Sequence, residues 1–270
     1  MAIGLIIIGD EILSGKRTDK HFPKVVELLS ARGLQLAWAE YVGDERERIT
    51  AILKRTFASD DIVFSCGGIG ATPDDHTRQC AAAALGVPLV LHPEAKAKIE
   101  ERIADVAREE GRAPDYDAPD NAHRLKMGEF PQGAMVIPNP FNKIPGFAIR
   151  HNDRGAYYFV PGFPVMAWPM IEWVLDTHYA HLFRQAAHLE KAVLVFGKAE
   201  STLTPLMERI EEEFPLVKVF SLPSVGDATT RRHIELGVKG DPAQVGAAFE
   251  RMLLGLDQCG AEYRGMDNTL

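Results

Sequence analysis

The stretch SCGGIGATPDDHT, Ser65–Thr77, packs three glycines into four positions and follows them with Asp74 and Asp75. Before it runs DIVF, a short apolar, β-branched segment of the kind that forms a buried strand. After it runs TRQCAAAALG, an alanine-rich helix closed by Gly86. Strand, glycine loop and helix thus follow one another without a break. The same order recurs upstream. IGLIIIG is a strand ending in glycine, and Phe22, Val25, Val26 and Leu29 then repeat at the spacing of one helix face, up to Gly33. LQLAWAEYVG is a second strand, and DERERITAILKRTF a second helix with Ile49, Ile52, Leu53 and Phe57 inward. A β-α-β-α-β-α order predicts a largely parallel sheet with helices on both faces.

In such a sheet the turns after the strands gather on one rim, where open α/β folds bind ligands. Three of those turns are acidic: Gly9-Asp10-Glu11, Gly43-Asp44-Glu45, and Gly67-Gly68-Ile69-Gly70 followed by Asp74-Asp75. The glycines allow backbone N–H groups to approach a phosphate closely. The aspartates repel phosphate, and a divalent cation removes that conflict, since Mg²⁺ is held by a few carboxylates and bridges to phosphate oxygen. Asp10, Asp44, Asp74 and Asp75 are the candidate ligands. Each acid also has a plainer reading. Asp44 with Glu47, and Thr72 with Asp75, fit N-cap pairs, each worth about 1 kcal/mol. Asp10 and Glu11 have no immediate helical face to cap. GIGATP lacks the last glycine of G-x-G-x-x-G, and no G-x-x-x-x-G-K-[ST] is present, which counts against dinucleotide oxidoreductases and P-loop kinases.

Further candidates lie nearby. Lys20 and His21 fall at the start of the first helix, and His76 beside the aspartates. Lys143 sits on the stiff loop NPFNKIPGF, and PGFP, Pro161–Pro164, leads into a helix N-terminus suited to anions. Cys66 reads as a packing residue. Met166, Trp168 and Trp173 read as core. HPEAKAKIEERIADVAREEGR reads as an outer helix, APDYDAPDNAHR as a loop, and GAMVIPN, GFAIR and AYYFV as strands, the last two joined by a hairpin turn at 152–155.

A boundary is expected near residues 184–190, giving domains 1–185 and 188–270. The second reads β-α-β-β-α, a small α+β unit of accessory or assembly character. It carries nine Lys/Arg and thirteen Asp/Glu, which argues against RNA binding. The net charge of −8 over 270 residues likewise disfavours nucleic acid and anionic membrane as partners. Three scattered cysteines without a C-x-x-C pair fit a reducing compartment. The run Ile3–Ile8 is too short for a signal or membrane segment. The expected setting is cytoplasmic, with a small phosphorylated molecule as ligand.

Five ordered motifs, GDEILSGKRTDK, VGDERERI, GGIGATPDDHT, NPFNKIPGF and PGFP, resemble the MoaB/Mog molybdopterin-binding domain, with greatest likeness to its competence/damage-inducible protein A (CinA) branch. The domain accompanying eukaryotic FAD synthetases is similar. The resemblance covers roughly residues 3–180 and implies a three-layer α/β/α fold with a mostly parallel sheet, plus a small C-terminal α+β domain. It implies a pocket for a phosphorylated pterin or nucleotide. It places functional acids at Asp44 and Asp75, the G-D-E motif at Gly9, Asp10 and Glu11, and the glycine loop at Gly67, Gly68 and Gly70 with Thr72. It also matches Asn139, Pro140, Lys143, Pro145 and Gly146, and Gly162 within PGFP. Two positions depart from the family pattern, Ala71 for proline and His21 for asparagine. The resemblance implies, as the leading expectation, a divalent-metal-dependent pyrophosphatase for ADP-ribose- or FAD-like diphosphates, using Mg²⁺, Co²⁺ or Mn²⁺. The alternatives are a molybdopterin-binding protein without hydrolase activity, or a pseudo-enzyme whose acids only cap helices. Nicotinamide-mononucleotide deamidase activity belongs to an extra domain of longer members and is not expected. The resemblance also implies a homo-oligomer, a dimer rather than a trimer.

Overall fold

Every residue of Ile3–Ile8 (β1) is buried, because its successive side chains serve two different cores. Leu5 and Ile7 join one core, Ile6 and Ile8 the other. The computed structural model describes residues 2–151, 155–183, 189–226 and 230–266, and the chain divides into two compact units, Met1–Phe183 and Arg184–Leu270. The expected turn at 152–155 and the expected boundary near 184–190 fall largely outside the described residues.

In the first unit β1 is followed by Asp10–Leu13 (α1), His21–Ala31 (α2), Trp38–Val42 (β2), Arg46–Phe57 (α3), Ile62–Cys66 (β3) and Thr77–Leu85 (α4). Then come Leu89–Leu91 (β4), Pro93–Glu109 (α5), Pro119–Lys126 (α6), Glu129–Pro131 (β5), Met135–Ile137 (β6), Gly146–His151 (β7), Gly155–Val160 (β8) and Pro164–His178 (α7). Among the described residues a six-stranded sheet runs β2-β1-β3-β8-β7-β6. The first four strands are mutually parallel; β7 is antiparallel to β8, and β6 to β7. On one face α2 and α7 press Val25, Leu29, Met170 and Val174 against Leu5, Ile7, Phe64 and Tyr158. On the other, α3, α4 and α5 bring Ile49, Leu53, Phe57, Ala81 and Ala95 against Ile6, Val63 and Phe159. Each fully buried Leu, Ile or Phe contributes about 1.5–3 kcal/mol. Three layers result.

Several local expectations are corrected. The inward face of α2 is His21, Val25, Leu28 and Leu29; Phe22 and Val26 are exposed. The apolar residues allow either phase, and a hydrogen bond from His21 to Gly162 goes with the observed one. Asp10 and Glu11 form the first turn of α1, so they do belong to a helical turn. The segment read as a loop contains α6, which starts with Pro119 at its first position, a favoured place for proline. The short antiparallel pair β4–β5 has three residues in each strand, too few for a sequence period to register.

In the second unit the order is Leu189–Phe196 (β9), Glu200–Glu213 (α8), Val217–Ser224 (β10), His233–Gly240 (β11), Pro242–Gln258 (α9) and Glu262–Gly265 (β12). The last strand was not anticipated. It pairs with β9 and completes an antiparallel sheet in the order β10-β11-β9-β12. Leu203, Leu206 and Ile210 of α8, with Val245, Met252 and Leu256 of α9, cover Val193, Val195, Leu236 and Val238. Asp241 caps α9 by accepting the Ala243 N–H at 2.8 Å.

Candidate functional site

The carboxyl ends of β1, β2, β3 and β8 open onto a cavity of about 840 Å³ in the first unit. Its floor is the glycine loop. Gly67 has φ +112°, and a Cβ there would lie 2.3 Å from the Ile8 carbonyl oxygen. Gly68 has φ +66°, and its Cβ would lie 2.2 Å from the Thr77 hydroxyl. Both positions therefore require glycine. The Gly67 N–H donates to the Val160 carbonyl at 3.0 Å. The Gly67 and Gly68 carbonyls accept from the Thr77 hydroxyl and N–H, at 3.0 and 2.9 Å. The N–H groups of Gly68, Ile69, Gly70 and Ala71 have no hydrogen-bond partner among the described residues, and all four residues line the cavity.

The acids hold the loops in shape. Asp10 N–H donates to Asp44 Oδ2 at 3.0 Å, and Asp44 N–H donates to Asp10 Oδ1 at 3.2 Å. A Cβ at Gly43 would fall 2.2 Å from Asp10 Oδ1, so glycine there makes room for this exchange. Asp44 is consequently not the cap of α3; Glu45 occupies that position, without a side-chain bond. Asp75 Oδ2 accepts from the Thr72 N–H at 2.8 Å and from the Thr72 hydroxyl. These bonds close a turn ahead of the helix, because α4 begins only at Thr77 with His76 as its cap residue. Asp44 and Asp75 each bond through Oδ2, and no hydrogen bond to Oδ1 is found among the described residues. Burial pushes the Asp44 carboxyl above its ordinary value despite the bond from Asp10, and the nearby Asp10, Glu11 and Asp74 push the same way.

Asp44, Asp74, Asp75, Gly9, Gly67, Gly68, Gly70, Thr72, Asn139 and Gly162 all line the cavity. Asp10, Gly146, His76 and Lys143 do not. Gly146 is a packing glycine in β7, where a Cβ would meet the Phe159 carbonyl at 2.3 Å. Lys143 takes a left-handed φ of +64°. Its ammonium lies 2.5 Å from Asp105 and 3.7 Å from Glu101 of α5. Asn139 organises its own loop, donating to Asn142 Oδ1 and the Ile144 carbonyl and accepting the Phe141 N–H. Cys66 is buried on the cavity wall, and burial pushes its thiol up, away from thiolate. Among the described residues, no three His, Cys, Asp or Glu side chains are grouped to hold a metal ion.

The sequence profile of the family described as "Probable molybdopterin binding domain" matches residues 4–181. The chain belongs to this family. A CinA-like protein of Anaeromyxobacter dehalogenans (strain 2CP-1 / ATCC BAA-258) is 36% identical over 211 residues, 77% of this chain and 49% of the relative. A CinA-like protein of Syntrophotalea carbinolica is 31% identical over 236 residues, 83% and 54% of the two chains. The chain thus spans about half the length of the curated relatives it matches. The crystal structure of a CinA protein of unknown function from Thermoplasma acidophilum superimposes with a TM-score of 0.55 at 24% identity, covering 66% of this chain and 98% of that one. The fold is the expected MoaB/Mog-like α/β arrangement, with an additional sheet in the C-terminal region. No described helix is long and apolar enough to cross a membrane.

Against the family pattern, the two departures lie on the cavity itself: Ala71 is exposed on its lip, and His21 is buried in its wall. The His21 Nε2–H donates to the Gly162 carbonyl at 2.9 Å, and among the described residues the buried Nδ1 has no partner. The sequence reading missed Arg17, Met127 and Asn142 as lining residues and took Met166 for core. It also missed Arg78, a buried guanidinium that donates to the Gly70 and Lys126 carbonyls and so holds the glycine loop from behind. One arginine in an alanine-rich helix was the available signal.

Proposed function

We propose that the cavity binds a phosphorylated nucleotide or pterin and, with Mg²⁺ or another divalent cation such as Co²⁺ or Mn²⁺, hydrolyses the diphosphate of ligands like ADP-ribose or FAD. The observation that carries this reading is the run Gly68–Ala71, whose N–H groups have no partner among the described residues and whose residues line the cavity together with Asp44, Asp74 and Asp75. Successive unpaired backbone N–H groups make an anion cradle. Carboxylates on the same lining fit a cation. The donor set suits Mg²⁺, which takes one or two carboxylates and completes its shell with phosphate oxygens and water, rather than an ion needing a full protein cage.

Asp44 and Asp75 would offer their free Oδ1 atoms, with Asp74 and Glu11 alongside. When bound, such an ion neutralises phosphate charge and makes its water more acidic. The chain supplies the remainder. The loop N–H groups stabilise charge growing on a phosphoryl oxygen. The proton of the attacking water would pass to solvent in the open cavity. Water adds to one phosphorus, the bridging oxygen leaves with the other, and two phosphomonoesters result, AMP among them.

The family description favours a second reading, molybdopterin binding without cleavage. Ile7, Ile12, Met127, Phe163 and Met166 on the cavity wall suit a flat ring. Incubation of the protein with ADP-ribose or FAD and Mg²⁺ or Co²⁺ separates the two readings. The expected result is AMP, lost in Asp75→Ala. No AMP with any metal, together with tight pterin binding, gives the second reading.

A further inference from the structure

The cavity is not uniformly acidic. Glu11, Asp44, Asp74 and Asp75 line it, and so do Arg17 and Lys20. Among the described residues neither cation makes an ion pair. Asp19, which lies between them in sequence, is already engaged. Its Oδ1 accepts the His21 N–H at 2.8 Å, and its Oδ2 accepts the Phe22 N–H at 3.1 Å and the Tyr41 hydroxyl at 2.8 Å. Asp19 therefore anchors the start of α2 instead of neutralising its neighbours.

The segment carrying the two cations is pinned at both ends. The Arg17 N–H donates to the Glu11 carbonyl at 3.0 Å, and His21 is tied to Gly162. The other cations near the site are committed elsewhere, Lys143 to Asp105 and Glu101, and Arg78 behind the loop. A guanidinium and an ammonium without ion pairs among the described residues, both lining one cavity, are a fit for phosphate, the first as a planar fork and the second as a point charge.

We infer that Arg17 and Lys20 form a phosphate seat that captures the ligand directly, without a metal ion. The inference rests on the reading that this cavity takes a phosphorylated ligand. It adds a division of labour: the cations hold one phosphate whether or not metal is present, and the acids act only on the phosphate that is to be cleaved. Metal then governs turnover, and Arg17 and Lys20 govern capture and orientation.

The test is calorimetric titration of ADP-ribose in EDTA. The wild-type protein is expected to bind, with affinity falling as salt rises. Arg17→Ala and Lys20→Ala are each expected to weaken binding at least tenfold, and Arg17→Lys to recover part of the loss. Lys16→Ala removes the same charge from a neighbour that does not line the cavity, and is expected to change affinity less than twofold. Both cations are solvent-exposed, and melting curves of the variants would check that they fold. Absence of wild-type binding in EDTA overturns the seat, as does affinity within twofold of wild type in both alanine variants. The two readings fail separately. AMP production with an unchanged KM in Arg17→Ala removes the seat and leaves the hydrolase. Arg17-dependent binding without AMP under any metal leaves the seat and removes the hydrolase.

Discussion

Two pairs of glycines, one in each unit, do opposite work. At the rim of the first, Gly67 and Gly68 hold left-handed backbone and leave N–H groups of their loop unpaired beside the cavity. In the second, Gly237 lies within a strand where a Cβ would meet the Phe220 ring at 2.3 Å, and Gly255 lies within a helix against Leu206 at 2.2 Å. The sheets explain the difference. Parallel strands send their following loops to one edge, so loop glycines accumulate where a ligand fits. Antiparallel strands send loops to alternate ends, and Gly237 and Gly255 serve packing within their elements instead.

Substitutions at matched positions sharpen this contrast. Gly67→Ala combines a disfavoured φ with overlap on the Ile8 carbonyl, which belongs to rigid sheet backbone. It is expected to cost about 3 kcal/mol or more in chemical denaturation and to abolish ligand binding. Arg78→Met comes next. It strips the Gly70 and Lys126 carbonyls of a charged donor, and about 2 kcal/mol is expected from the same measurement. Gly237→Ala meets the far end of a phenyl ring that can turn and, less avoidably, the Ala192 Cβ at 2.8 Å on the paired strand; about 1.5 kcal/mol is expected, with ligand affinity unchanged. Equal losses for Gly67→Ala and Gly237→Ala would break the comparison.

The smallest effect has a sign set by pH. The folded protein raises the Asp44 carboxyl, chiefly by burial, so its ionised form is disfavoured on folding. That group's share of stability is full below the ordinary carboxylate value and declines as pH rises through the raised one. Asp44→Asn keeps an oxygen for the Asp10 N–H and removes the charge. It is expected to melt slightly above wild type at neutral pH, with the gap closing on acidification, while AMP formation is lost. A constant gap across pH would show that the charge is fully screened.

Much of the first unit was legible because its pattern repeats. Runs such as Ile3–Ile8 and Ile62–Cys66, each ending in glycine, announce buried parallel strands, and the family motifs cover the same stretch. The cavity could be located from the strand ends alone. What each rim residue does there was not legible, because hydrogen-bond direction depends on loops meeting in space. Thr72–Asp75 has the spacing of a capping box, yet it closes a turn before the helix begins. Lys143 has the composition of a phosphate contact, yet α5 lies close enough to pair with it. The strand β12 escaped notice because its four residues, Glu-Tyr-Arg-Gly, carry no apolar alternation, and Tyr263 is the apolar side chain it packs on the second core.

The exchange between Asp10 and Asp44 has a kinetic signature. Each backbone N–H is held by the other residue's carboxylate, across two loops 34 positions apart. Neither amide can swap its proton for deuterium unless both loops part together. Two amides on a solvent-facing rim are therefore expected to exchange about as slowly as those within the adjoining strands, and to quicken together when either aspartate is replaced by alanine.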